Sequence, residues 1–128
     1  MKTAFTKIPL LLVAFAFGCD SLDLATKETD LRELKELRSE LDKMVGRPCS
    51  DGQDWTIAPI GHRSGGGHDG YIAYPKSMDS VAVMKKINEY TQAQKRTNEK
   101  WSIASYCVEA DKPVAVKCVD GKPCFVYK

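Results

Sequence analysis

Hydrophobic residues follow three patterns along this chain. From Ile8 to Phe17 they run without a break, IPLLLVAFAF. That run of about ten residues is too short to cross a bilayer roughly 30 Å thick as a helix. Between 28 and 46 they fall at helical spacing: Leu31, Leu34, Leu37, Leu41, Met44 and Val45. One face of a helix is therefore apolar. Glu28 with Arg32, and Arg38 with Asp42, are opposite charges four residues apart, which supports the same helix. Thr29 or Asp30 can cap its start, and Gly46 and Pro48 end it. Such a helix can serve as a short coiled-coil stalk or pack on its own domain.

The third pattern is that of strands. WTIAPI at 55–60 predicts one strand, with Pro59 marking an edge or a bulge. YIAY at 71–74 predicts a second. A helix is predicted from about 79 to 98, capped by Ser77 or Asp79, with Val81, Met84, Ile87, Tyr90 and Thr91 on one face. Three strands then follow, at 102–109, 114–119 and 124–127. Asp120-Gly121 predicts a two-residue hairpin turn between the last two, because such a turn needs positive φ at both central positions. The expected fold is α+β: one small antiparallel sheet with two helices on one side.

The N-terminus changes the picture of where this domain works. Lys2 and Lys7 precede the apolar run, as in a secretory signal peptide over 1–18. Ala16-Phe17-Gly18-Cys19 resembles the lipobox of bacterial lipoproteins, which implies that Cys19 is acylated and becomes the mature N-terminus. The expected order is then a signal peptide at 1–18, a lipid-anchored tether at 19–27, an amphipathic helix at 28–46 and a disulfide-stabilised α+β domain at 47–128. The full chain carries 19 Lys+Arg against 17 Asp+Glu, and both excess lysines lie in the signal. The remainder is balanced at 17 against 17, so no basic face is indicated and nucleic acid is not an expected partner. The expected location is the bacterial cell envelope, periplasmic or at the cell surface, with the membrane engaged through lipid on Cys19.

Four cysteines remain: Cys49, Cys107, Cys118 and Cys124. An even number in a small exported domain predicts two disulfides. Across an Asp120-Gly121 turn, Cys118 faces Pro123 and Cys124 faces Lys117. Adjacent pairs point to opposite faces, so Cys118 and Cys124 do not bond each other. Each is expected to reach Cys49 or Cys107, in either order.

Several of these pieces together resemble a group of small cysteine-containing exported proteins of bacteria. The matching stretches are Cys49-Ser50-Asp51, Gly65-Gly66-Gly67, Tyr71-Ile72-Ala73-Tyr74, Asn88-Glu89-Tyr90, Ser105-Tyr106-Cys107 and Cys118 to Cys124. Where that group has two further cysteines, this chain has Asp54 and Ser64 or Gly65. The resemblance implies that one bridge has been lost whole, and it implies no catalytic residue.

The stretch GHRSGGGHDGY, Gly61 to Tyr71, holds both histidines. His62, Arg63, His68 and Asp69 are its candidate binding residues. His62, His68 and Asp69 are three N/O donors that could hold Zn²⁺ with one position open. Ser64 close to both histidines is a candidate nucleophile. The glycines argue against both, since ordering such a loop costs about 1–2 kcal/mol per residue. They predict a mobile connection between strands. No P-loop is present, because a strand follows and no Lys stands where the phosphate needs it. No cofactor is implied. The leading expectation is a non-enzymatic module of the inhibitor or immunity type that binds another envelope protein. The competing one is a small metal-dependent or serine-type hydrolase built on the Gly61–Tyr71 loop.

Overall fold

The computed structural model describes residues 26–106 and 108–128. The signal peptide, Cys19, the tether up to residue 25, and Cys107 lie outside the described residues.

Thr26 caps the first helix, α1 (Lys27–Val45), its hydroxyl accepting from the Thr29 N–H at 3.2 Å. The expected caps, Thr29 and Asp30, lie inside the first turn instead. Asp30 has other partners: its carboxylate accepts from Lys100 Nζ and Trp101 Nε1, both at 2.7 Å. At the far end the Gly46 N–H closes on the Asp42 carbonyl at 2.7 Å. The second helix, α2 (Ser80–Lys100), is capped by Asp79, which accepts from the N–H groups of Val81 and Ala82. The two helices run antiparallel. Asp30 meets Lys100 at one end, and Glu40 meets Lys86 at 3.4 Å further along. Leu34, Leu41 and Val45 of α1 are buried, so this helix packs on its own domain. The buried stripe of α2 is Val83, Ile87, Ala93 and Thr97. Ile87 is buried and Tyr90 packs against the core as expected, but the start of the expected face is corrected: Val81 is 78% exposed, Met84 is also open to water, and Val83 is buried instead. Val81 and Val83 are both apolar, and packing against α1 and the sheet selects Val83.

Strands β1 (Trp55–Ile60) and β2 (Gly70–Pro75) pair antiparallel, with Ala58 opposite Ile72 and Thr56 opposite Tyr74. Ala58, Ile60, Ile72 and Tyr74 form one core with Leu41, Val45, Val83 and Ile87. Burying a side chain of this size stabilises by roughly 1.5–3 kcal/mol.

The expected single sheet is corrected to two. Strands β3 (Ala115–Val119) and β4 (Lys122–Val126) form a separate hairpin. Its turn is at Asp120 and Gly121, with φ of +50° and +74°, and Cys118 faces Pro123 as expected. No strand forms over the described residues of 102–109. There α2 ends in a tight turn, with Ser102 at φ +49° and the Ile103 N–H reaching back to the Asn98 carbonyl at 2.9 Å. The next residues bond to the Gly-rich loop rather than to a strand.

Prolines explain why the two hairpins stay apart. The Lys76 N–H donates to the Asp54 carbonyl, which fixes the alternation of the β1–β2 ladder. Positions 55, 57 and 59, and their partners 75, 73 and 71, then point their backbone groups away from the neighbouring strand. Pro59 and Pro75 stand at such positions. Across the two-residue turn the same holds for Pro123. The outer edges of β1, β2 and β4 therefore each lack a donor, and a proline edge resists further pairing.

The disulfide expectation is met in part. Cys49 and Cys118 are bridged, with Cα atoms 5.7 Å apart and 69 residues of separation. Among the described residues no second bridge is seen, and Cys124 carries a free, exposed thiol. The β3–β4 hairpin supplies no residue to the core cluster. A lone two-stranded hairpin is marginal in water; the Cys49–Cys118 bond, the Cys49 N–H to Gly121 carbonyl bond and contacts of β3 with β1 tie it to the domain.

Candidate functional site

The Gly61–Tyr71 loop is held along its base by a polar row on α2. Thr91, Gln94 and Asn98 recur at three and four residues, so they share one side of the helix, next to the buried stripe. The Gly61 N–H donates to Thr91 Oγ1 at 3.0 Å, and the His62 N–H to Gln94 Oε1 at 2.7 Å. Asn98 Nδ2 donates to the His62 carbonyl at 2.9 Å. Gln94 Nε2 continues to Asp69 Oδ2 at 3.2 Å. On the other side Ser64 Oγ donates to the Ile103 carbonyl, and Ser105 Oγ donates to the Ser64 carbonyl at 3.0 Å. The expectation of a loosely held connection is thus corrected at its base, while Gly65, Gly66 and Gly67 stand exposed at its tip. Sequence reasoning missed the anchors because they lie twenty-five or more residues away, and Thr91 reads there as part of the apolar face of the helix.

Ser64, Arg63 and Asp69 of this loop have partners within the domain. The Ser64 hydroxyl is a donor to a backbone carbonyl, with no imidazole on it to take its proton. His62 engages the domain through its backbone. His68 is exposed, its ring 6.2 Å from that of Tyr71 in an edge-on contact. Asp69 faces Gln94 and, at 4.0 Å, Arg63. Arg63 is 19% exposed along its side chain, and its Nη1 reaches the Tyr106 carbonyl at 3.5 Å. Among the described residues no three His, Cys, Asp or Glu side chains gather where a metal ion could sit. What the loop and the end of α2 do form is a shallow cavity of about 430 Å³ beside His62, Ser64, Asn98 and Ile103.

A second candidate lies on the C-terminal hairpin. Among the strands of the described residues, β3 alone has no proline. Across the Asp120-Gly121 turn, Val116 and Cys118 occupy the positions whose N–H and C=O groups face away from β4. Among the described residues those groups have no hydrogen-bond partner in turns, loops or side chains. They open on a short groove lined by Asp51, Gln53 and Trp55 opposite Val116 and Cys118. The Cys49–Cys118 bridge holds this edge in place. The sequence carried a signal for it, the absence of proline from 114–119, but the signal has meaning only once the ladder's alternation is known.

No helix among the described residues is long and apolar enough to cross a membrane. No protein-family model, no curated protein and no solved structure matches this chain.

Proposed function

We propose that this protein is a lipid-anchored cell-envelope lipoprotein, secreted by its N-terminal signal and held by acyl chains on Cys19, that binds another envelope protein without catalysing a reaction. The observation that carries the binding role is the unpaired edge of β3. A short extended segment of the partner adds to this edge, taking the N–H and C=O groups of Val116 and Cys118. Strand addition of this kind draws affinity from main-chain hydrogen bonds and specificity from side-chain pockets. Up to four bonds at roughly 0.5–1.5 kcal/mol each give a modest interaction, which suits an inhibitor or immunity protein concentrated on a membrane.

A second bridge completes the domain in this reading. With Cys118 joined to Cys49, Cys124 pairs with Cys107 by thiol–disulfide exchange with an oxidised dithiol of the export compartment. Peptide mapping of the non-reduced protein checks this: a linked pair of peptides containing 107 and 124 is expected, and alkylatable thiols at both would overturn it.

The partner role is tested with Val116→Pro. The Val116 N–H faces away from β4, so the substitution removes no bond of the hairpin, just as the prolines at 59, 75 and 123 already stand at outward positions. Photo-cross-linking from position 117 in envelope membranes is expected to trap a partner protein with the wild-type chain. The trapped product is expected to be lost in Val116→Pro while the unfolding midpoint holds. Equal cross-linking by both chains would refute the edge as the binding element.

A further inference from the structure

The two helices give the domain two unlike ends. One end carries the start of α1 at Lys27 and the finish of α2 at Lys100, joined by Asp30 to Lys100 and Trp101. The Gly61–Tyr71 loop lies at this end, because Thr91, Gln94 and Asn98 in the C-terminal half of α2 hold it. The segment after α2 crosses the same loop through Ser105 and the Tyr106 carbonyl. The opposite end carries the last turn of α1 and the hairpin tip, where the Cys49 N–H donates to the Gly121 carbonyl at 3.1 Å. A helix of 19 residues separates the ends by about 28 Å.

Cys19 stands seven residues before Thr26. Fully extended, those seven residues span at most about 25 Å, less than the length of α1. A lipid on Cys19 therefore keeps the Lys27 end within about 25 Å of the bilayer, so contacts made at that end set which way the hairpin tip turns. At the tethered end Tyr106 is 92% exposed and Val108 is 72% exposed, with no packing role in the core. Charges beside Tyr106 are mixed, with Arg63 and Glu109 lining the same cavity and Asp69 facing Arg63.

We infer that Tyr106 and Val108 rest in the headgroup layer of the membrane and hold the tethered end of the domain against it, turning the β3 edge and the hairpin tip outward. This inference rests on the anchored reading above. Tyrosine favours the membrane–water interface, where its ring is apolar and its hydroxyl is wet. Two such side chains would not recruit a free protein. A protein already tethered by lipid meets the surface at high effective concentration, so a small gain per side chain becomes an orientation. Because the charges are mixed, the contact is with the interfacial layer of a zwitterionic bilayer and does not require anionic lipid.

The test uses the full acylated protein in phosphatidylcholine nanodiscs that contain a gadolinium-chelating headgroup. The mass of the N-terminal peptide first establishes whether Cys19 is acylated. An unmodified Cys19 overturns the anchored reading, and this inference with it. With Cys19 acylated, paramagnetic broadening of the backbone amides reads the orientation. Amides of Gly66, Gly67, Tyr106 and Val108 are expected to broaden several-fold more than those of Gly121 and Lys122. In a Tyr106→Ser/Val108→Ser variant that contrast is expected to fall to less than half, with acylation and the amide spectrum of the core unchanged. Uniform broadening, stronger broadening at the hairpin tip, or a contrast indifferent to the double variant would each overturn the inference while leaving the anchor intact.

Discussion

Gly61→Ala probes whether the α2 row really holds the loop. Gly61 has φ of +83°, where an alanine costs about 1 kcal/mol or more. The new methyl would also stand 2.6 Å from the Asp69 Cβ and 2.6 Å from Gln94 Oε1. The Gln94 side chain can move, and doing so releases the His62 N–H that it accepts at 2.7 Å. Leaving that half-buried donor unpaired costs about 1–3 kcal/mol. The two effects together destabilise the domain by about 2–4 kcal/mol. Gly70→Ala is the matched control: its φ is ordinary and its Cβ would meet nothing within 4 Å. Urea unfolding followed by circular dichroism measures both. With a slope of about 1–3 kcal/mol per molar, the Gly61→Ala midpoint is expected to fall by at least about 0.7 M, and that of Gly70→Ala to stay within about 0.3 M. Equal midpoints for the two variants would refute the claim that α2 grips the loop.

Three further outcomes are expected. The double substitution Cys49→Ser/Cys118→Ser opens a bridge with 69 residues of separation. It is expected to reduce stability by about 2–4 kcal/mol, and hydrogen exchange is expected to speed up across 115–126 far more than across Val83 or Ile87, because the hairpin adds nothing to the core. Asp30→Asn tests the helix clamp. Hydrogen bonds from Lys100, then from Trp101, hold the Asp30 carboxyl below its ordinary value of 3.8. The stabilisation it gives is therefore fully present above that value and lost as pH falls through the lower folded-state value. The wild-type advantage over Asp30→Asn in urea midpoint is expected to be constant from pH 5 to 7 and to shrink below pH 4; an advantage that persists unchanged at pH 2 would contradict the clamp. Ser102→Gly relieves a non-glycine residue at φ +49° in the turn that ends α2. It is expected to raise stability by about 0.5–1 kcal/mol in thermal unfolding, and a loss would show that the serine has a role the turn does not explain.

Local chemistry decided much of this protein. The strand at 55–60 is legible because Trp55, Thr56, Ile57 and Ile60 are strand-forming residues followed by Gly61. The hairpin turn is legible because Asp-Gly tolerates positive φ, and its register follows from the same two residues. That register separates Cys118 from Cys124, and the observed Cys49–Cys118 bridge is one of the two partners it left for Cys118. Helix ends, set by Thr26, Gly46 and Asp79, came within a turn of their sequence positions because capping is local.

Tertiary structure decided what depends on distance in the chain. At the start of α2 both Val81 and Val83 are apolar, and only packing against α1 and the β1–β2 face selects Val83 to continue the stripe through Ile87. The Gly61–Tyr71 loop looks unrestrained until Thr91, Gln94 and Asn98 are brought under it. Prolines 59, 75 and 123 look like isolated strand defects until the ladder shows all three turned outward, which keeps two hairpins from becoming one sheet and leaves β3 as the edge without a block. In each case the residue types were in plain view. Their consequences arise from which backbone groups face one another, and that is set only when the chain is folded.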